Sequence, residues 1–141
     1  MSISENEEEN KTAVKWYLLA ATAGNTKSKL RLAELYESGT GVEKNLLEAK
    51  HWYEKAAYDG NLPGMLKYAD YLSRDTEDEG VILEYAWLLI IKDRVPQDSI
   101  NGKFVGQRMS KIEEELSPSG LMKAKKEYEK IIDMLPQTKS D

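Results

Sequence analysis

The feature that most constrains this chain is that it repeats itself. Trp16-Tyr17 returns as Trp52-Tyr53, 36 residues on. The same shift carries Ala13 to Ala49, Ala20-Ala21 to Ala56-Ala57, Gly24-Asn25 to Gly60-Asn61, Leu30 to Leu66 and Ala33 to Ala69. A third, weaker copy follows, with Trp87 standing 35 residues after Trp52. A period of this length marks a stacked-repeat architecture, because one helix pair cannot hide its own apolar stripes and must pack on a neighbour. Small residues at Ala33, Ala57 and Ala69 then let helices approach closely, and Trp16, Trp52 and Trp87 are expected to fill equivalent sites between helices.

The periodicity inside each copy is helical. Leu32, Leu35 and Tyr36 form an i, i+3, i+4 stripe, and Leu46, Ala49, Tyr53 and Ala56-Ala57 continue the pattern. Gly24, Gly39 and Gly60 fall just past such segments, where a helix end favours a left-handed residue. Asn45 followed by Glu48 reads as an N-cap with a partial capping box. These signals predict helices over 10–23, 26–37, 46–59, 62–72 and 81–92. Val105, Met109, Ile112 and Leu116 carry one further one-sided stripe. After Ser117-Pro118, a cap followed by an N1 proline, Leu121, Ala124, Tyr128, Ile131 or Ile132, and Leu135 carry another. No segment shows sustained strand alternation.

The segment from Gly24 through Leu32-Ala33-Glu34-Leu35-Tyr36 and Gly39-Thr40-Gly41-Val42 to Ala49-Lys50-His51-Trp52-Tyr53-Glu54-Lys55-Ala56-Ala57 and Gly60 resembles the Sel-one-like repeat (SLR) family, relatives of the tetratricopeptide repeat. Ser28, Leu32, Tyr36, Gly39, Gly41 and Val42 occupy the first half of that pattern, with Ala33 in place of its usual Gly. The first copy matches only over the second helix, Ala13 to Gly24. In the third, Gly64 stands for the small residue and Leu72 for the Tyr, and Ser73 to Gly80 replaces the Gly-x-Gly-Val loop. The resemblance implies an all-α fold, a short right-handed α/α solenoid of about two and a half copies with a closing helix pair. The expected organisation is an acidic flexible tail over 1–9, one solenoid domain over 10–135 (repeat helices 10–93, closing helices 102–135), and a frayed end over 136–141.

Composition removes several function classes. Cys is absent and His occurs once, so disulfides, thiolate metal sites, thiol nucleophiles and multi-histidine sites are excluded. A formal charge of −5 argues against nucleic-acid binding. The Lys-rich last helix is read as a solvated face, since Glu127 and Glu129 interrupt it. Met1 to Asn10 carries four Glu and no Lys or Arg, the wrong charge for a signal peptide, and the apolar run Tyr85 to Ile91 is too short to span a bilayer. A cytoplasmic protein without membrane insertion is expected. Asp75, Glu77, Glu79 and Gly80 echo the start of a calcium loop, yet position twelve is Ala86, so the segment reads as a connector. His51 has no nucleophile beside it, and no catalytic, metal or cofactor residues are assigned.

The resemblance implies a non-enzymatic module that binds a protein or peptide on the concave face lined by the first helix of each pair, with no small-molecule substrate. Contact residues should differ between copies while packing residues recur. That logic selects Thr26 and Lys29 in one copy and Leu62 and Met65 in the next, each pair 36 residues apart, as the partner-binding positions. The small size and the directly following closing helices motivate a narrower alternative, an immunity protein or inhibitor that neutralises a bacterial toxin or effector by tight one-to-one binding. A hydrolase is the remote alternative, because enzymatic activity is attributed to some members of the family; no nucleophile–base pair is present to support it.

Overall fold

The computed structural model describes residues 3–137, and among these every regular element is a helix. Helix α1 spans Ile3–Thr22. It starts seven residues before the predicted boundary at 10, so the expected flexible tail over 1–9 is helical from Ile3 onward. The reason is electrostatic and intrinsic: Glu is a good helix former, and acidic side chains in the first turns oppose the positive end of the helix dipole. The expected frayed end over 136–141 lies outside the described residues from 138 on.

Helix α2 (Thr26–Ser38) begins at Asn25, whose side-chain oxygen accepts from Ser28 N at 2.8 Å, and ends at Gly39 with φ 71°. Helix α3 (Leu46–Tyr58) begins at Asn45, which accepts from Leu47 N and Glu48 N, both at 3.1 Å. The loop between them holds a second left-handed residue, Gly41, at φ 74°. A Cβ there would stand 2.3 Å from the backbone oxygen of Asn10, so only glycine lets the loop lie against α1. Helix α4 (Leu62–Leu72) is capped by Asn61, which accepts from Gly64 N at 2.8 Å. A Cβ on Gly64 would meet Ala56 at 2.8 Å, so its absence permits close approach to α3.

Helix α5 (Asp78–Lys92) follows, then α6 (Ile100–Glu115) and α7 (Pro118–Met134). Ser99 and Ser117 cap the last two through Gly102 N and Gly120 N. These bounds match the predicted helices to within three residues, apart from the start of α1. The chain divides into two compact units, one ending at Gly64 and one starting at Met65.

In the first unit the core is Leu32 and Ala33 of α2 with Ala49, Tyr53, Ala56 and Ala57 of α3; Val14 and Ala21 of α1 are also buried. Trp16 does not take the packed place expected of it. Trp52 and Trp87 are buried, while Trp16 is 67% exposed, because the described chain puts no helix over that side of α1. In the second unit α5 is buried nearly all round, with Glu84 through Leu88, Ile90 and Ile91 inside. That is the burial of a central helix rather than of a surface one. Tyr68 of α4 meets the Trp87 ring edge to face at 5.6 Å. No helix among the described residues is long and apolar enough to cross a membrane.

Candidate functional site

Within the second unit, three helices enclose a groove of about 280 Å³. Leu66, Ala69, Asp70 and Ser73 of α4 form one wall, and Phe104, Val105 and Arg108 of α6 the other. Glu84, Leu88 and Ile91 of α5 line the floor. Phe104 is the sole Phe in the sequence and is 60% exposed. An open aromatic beside aliphatic walls is the composition that receives an apolar side chain.

One polar feature sits in this groove. Arg108 Nε donates to Glu84 Oε2 at 2.7 Å and Nη2 to Oε1 at 2.9 Å. The fork is bidentate, with Glu84 buried at 1% exposure and the Arg108 side chain 22% exposed at the groove. The hydrogen bond to Glu84 pushes the guanidinium further up from its ordinary value, against burial, which lowers it. Two of Arg108's five N–H donors are committed to Glu84. At the mouth, Asp70 pairs with Arg74 at 3.1 Å, and Arg74 stacks 4.4 Å from the Tyr71 ring. Beside the groove, Tyr85 Oη donates to Glu113 Oε1 at 2.9 Å. Burial, then that hydrogen bond and the Glu113 charge, push the phenol up to about 12. The acidic end of α6, unfavourable for a helix dipole on its own, therefore serves to hold α6 on α5.

Three of the four sequence-selected positions, Thr26, Lys29 and Met65, are taken up by internal bonds or packing. Met65 is fully buried, a core residue that no partner can reach. Lys29 Nζ pairs with Asp59 Oδ2 and its side chain is 12% exposed. Thr26 Oγ1 donates to the same oxygen at 2.9 Å. Thr26 and Lys29 thus come together, but on an internal acceptor at the end of α3, where they tie the start of α2 to its neighbour. Leu62 is half-buried at the start of α4. The two copies treat this position differently: Lys29 pairs with Asp59, and Met65 is enclosed by its own unit. The groove was missed because its residues lie in the least regular copy. One signal could have found it: aligning Trp87 with Trp52 sets Glu84 where the repeat has Ala49, and a carboxylate at a core position demands a cation.

The remaining motifs resolve simply. Glu79 and Gly80 already lie in the first turn of α5, and Asp75 Oδ1 accepts from Glu77 N at 3.0 Å, so the acidic segment is a helix lead-in rather than a cation loop. Among the described residues, no group of three or more His, Cys, Asp or Glu is placed to hold a metal. His51 is exposed on α3, edge-on to Trp52 at 6.1 Å.

Comparison with known proteins bears on the same regions. The Sel1 repeat matches residues 3–25 and 26–61. DAP3-binding cell death enhancer 1 of Rattus norvegicus is 47% identical over 51 residues, which is 36% of this chain and 10% of that protein. Chitin synthase regulator SKT5 of Saccharomyces cerevisiae is 43% identical over 51 residues, 36% of this chain and 7% of the relative. The chain therefore matches about a tenth or less of the length of these curated relatives. A solved SLR-fold protein, a protective antigen present in uropathogenic Escherichia coli strains, is similar with a TM-score of 0.70 at 22% identity, covering 91% of this chain and 27% of that one. A Sel1 repeat protein from Oxalobacter formigenes is similar at TM-score 0.56 and 20% identity, covering 90% and 66%. The fold class is accordingly the all-α SLR solenoid.

Proposed function

Residues 3–61 are Sel1 repeats, a repeat through which proteins bind proteins, and from that premise we propose that this chain is a non-enzymatic adaptor that takes a segment of a partner protein in the α4–α5–α6 groove. The observation that carries the reading is the groove itself: aliphatic walls, an exposed Phe104 on the rim and a fixed guanidinium inside. A large apolar side chain of the partner fills the space beside Phe104. A backbone carbonyl or carboxylate next to it accepts from Arg108, whose position Glu84 has already set, so little ordering is left to binding. Both walls are first helices of their pairs, the face that SLR and tetratricopeptide-like stacks present to partners.

Selection of phage-displayed random peptides on the intact chain tests this. Selected peptides should be rich in large apolar residues, and Phe104→Glu should weaken them at least about tenfold, or 1.4 kcal/mol. Lys125→Glu on α7 should change nothing. Equal affinity for the wild type and the Phe104→Glu variant, both with native circular dichroism, removes the groove from the reading. A single native partner held one-to-one at nanomolar affinity would narrow the adaptor to a dedicated inhibitor.

A further inference from the structure

Every polar side chain that lines the α4–α5–α6 groove already has a partner. Glu84, at 1% exposure, is held by Arg108 through both carboxylate oxygens. Asp70 is held by Arg74 at 3.1 Å, and Ser73 Oγ donates to the Asp70 backbone oxygen at 2.6 Å. The other lining side chains, Leu66, Ala69, Leu88, Ile91, Phe104 and Val105, are apolar. The ionic groups at the groove thus form two pairs, each of one cation and one anion, and their charges cancel.

That balance decides what the groove accepts. A charged occupant gives up its hydration on entry and regains the loss only against an opposite charge left unpaired. A carboxylate at Arg108 would share one guanidinium with Glu84, setting two like charges on a single cation. Glu115, two turns further along α6, adds to that repulsion. An ammonium or guanidinium would meet Arg108 itself, with Glu84 already committed and Asp70 tied to Arg74. What stays open is donor capacity, the N–H groups of Arg108 that Glu84 does not use, on a side chain 22% exposed. A neutral acceptor takes such a donor without adding charge. Backbone carbonyls supply it, and they are free in an extended segment but consumed inside a helix.

We propose, resting on the groove assigned above, that it selects an uncharged, extended segment from within a partner chain. An apolar side chain of that segment lies beside Phe104, a backbone carbonyl accepts from Arg108, and the residues next to the anchor are not Asp, Glu, Lys or Arg. A chain end, with its terminal carboxylate, is refused. No ion pair forms on binding, so affinity comes from apolar contact and barely responds to salt.

The test selects two phage libraries of random peptides on the intact chain, one displaying internal segments and one ending in a free carboxylate. Peptides that Phe104→Glu weakens should come from the internal library, and should be depleted in charged residues beside the apolar anchor relative to the unselected library. The leading peptide, made with both ends blocked, should change affinity by less than about twofold between low and high salt. Asp placed next to its anchor should weaken it at least about tenfold, and Glu84→Gln, which leaves the guanidinium without its counter-charge, should remove most of that penalty. Phe104-dependent peptides that carry a charged residue or a free carboxylate beside the anchor overturn the selectivity while leaving the groove in place. An Asp penalty unchanged in folded Glu84→Gln does the same. Peptides indifferent to Phe104→Glu take away the groove, and the selectivity with it. Peptide composition and salt dependence decide the matter if Glu84→Gln does not fold.

Discussion

The unit that ends at Gly64 and the unit that begins at Met65 hold their helices together by different means. In the first, small residues set the helix spacing, and the side-chain bonds between α2 and α3, from Lys29 and Thr26 to Asp59 and from Tyr53 to Glu37, are only part-buried. Ala49, Ala56 and Ala57 are buried with almost nothing beyond Cβ, and Gly41 lies where no Cβ fits at all. In the second, small residues such as Ala86 and Ala124 are still buried, but one small position is replaced by a charged side chain that reaches across. Where the Trp register has Ala49, the later copy has Glu84, equally buried but bound to Arg108 of α6. Tyr85 beside it reaches Glu113 of α6, and Tyr128 of α7 donates to Asp93 at 3.2 Å. The difference lies in where the polar link sits: part-buried at the helix ends in the first unit, and at a core position, Glu84, in the second.

The sharpest way to break this comparison is to remove one half of the buried fork. Arg108→Ala leaves the Glu84 carboxyl buried without its counter-charge and should cost about 3–5 kcal/mol in urea denaturation, whereas Glu84→Met with Arg108→Leu should be within about 1 kcal/mol of wild type or more stable. If the single change cost under about 1 kcal/mol, the second unit would not depend on that core link. Next in size is Gly41→Ala in the first unit. It forces a left-handed non-glycine and a contact with α1 at once, and should cost about 3 kcal/mol by the same measurement. An unchanged midpoint would show that the loop can move off Asn10.

The smallest effect is that of Tyr85→Phe, about 1 kcal/mol for a part-buried hydrogen bond to the exposed Glu113 carboxylate. It also has a pH signature. The folded phenol is raised from 10.0 to about 12, so folding favours the protonated form. The contribution is complete below pH 10 and is lost as pH rises from 10 to 12. Urea midpoints measured across that window should fall more steeply for wild type than for Tyr85→Phe.

The helices were readable because apolar spacing and caps act locally: Asn45, Ser117 and Pro118 each do what a short window of sequence says they do. Periodicity reports which face of a helix is apolar, not whether a neighbour exists to cover it, and Trp16 shows the gap. Met65 is enclosed by its own unit, and Lys29 finds Asp59 across 30 residues, a pairing that no local rule encodes. The groove was hidden for the same reason. Its floor and far wall come from Glu84 and Arg108, 24 residues apart, and only the three-dimensional meeting of α5 and α6 makes them one site.

The Glu84–Arg108 fork has a geometric consequence for that site. Aliphatic side chains are nearly interchangeable, so a helix held by them alone can slip along its neighbour with modest loss. A planar fork cannot follow. Moving α6 by one residue shifts Arg108 about 1.5 Å along the axis and swings it about 100° around it, out of reach of both oxygens. Electrostatics thus act here as an indexing pin: the seat of α6 on α5 is fixed to a single notch, and the clearance beside Phe104 is inherited from a charge pair.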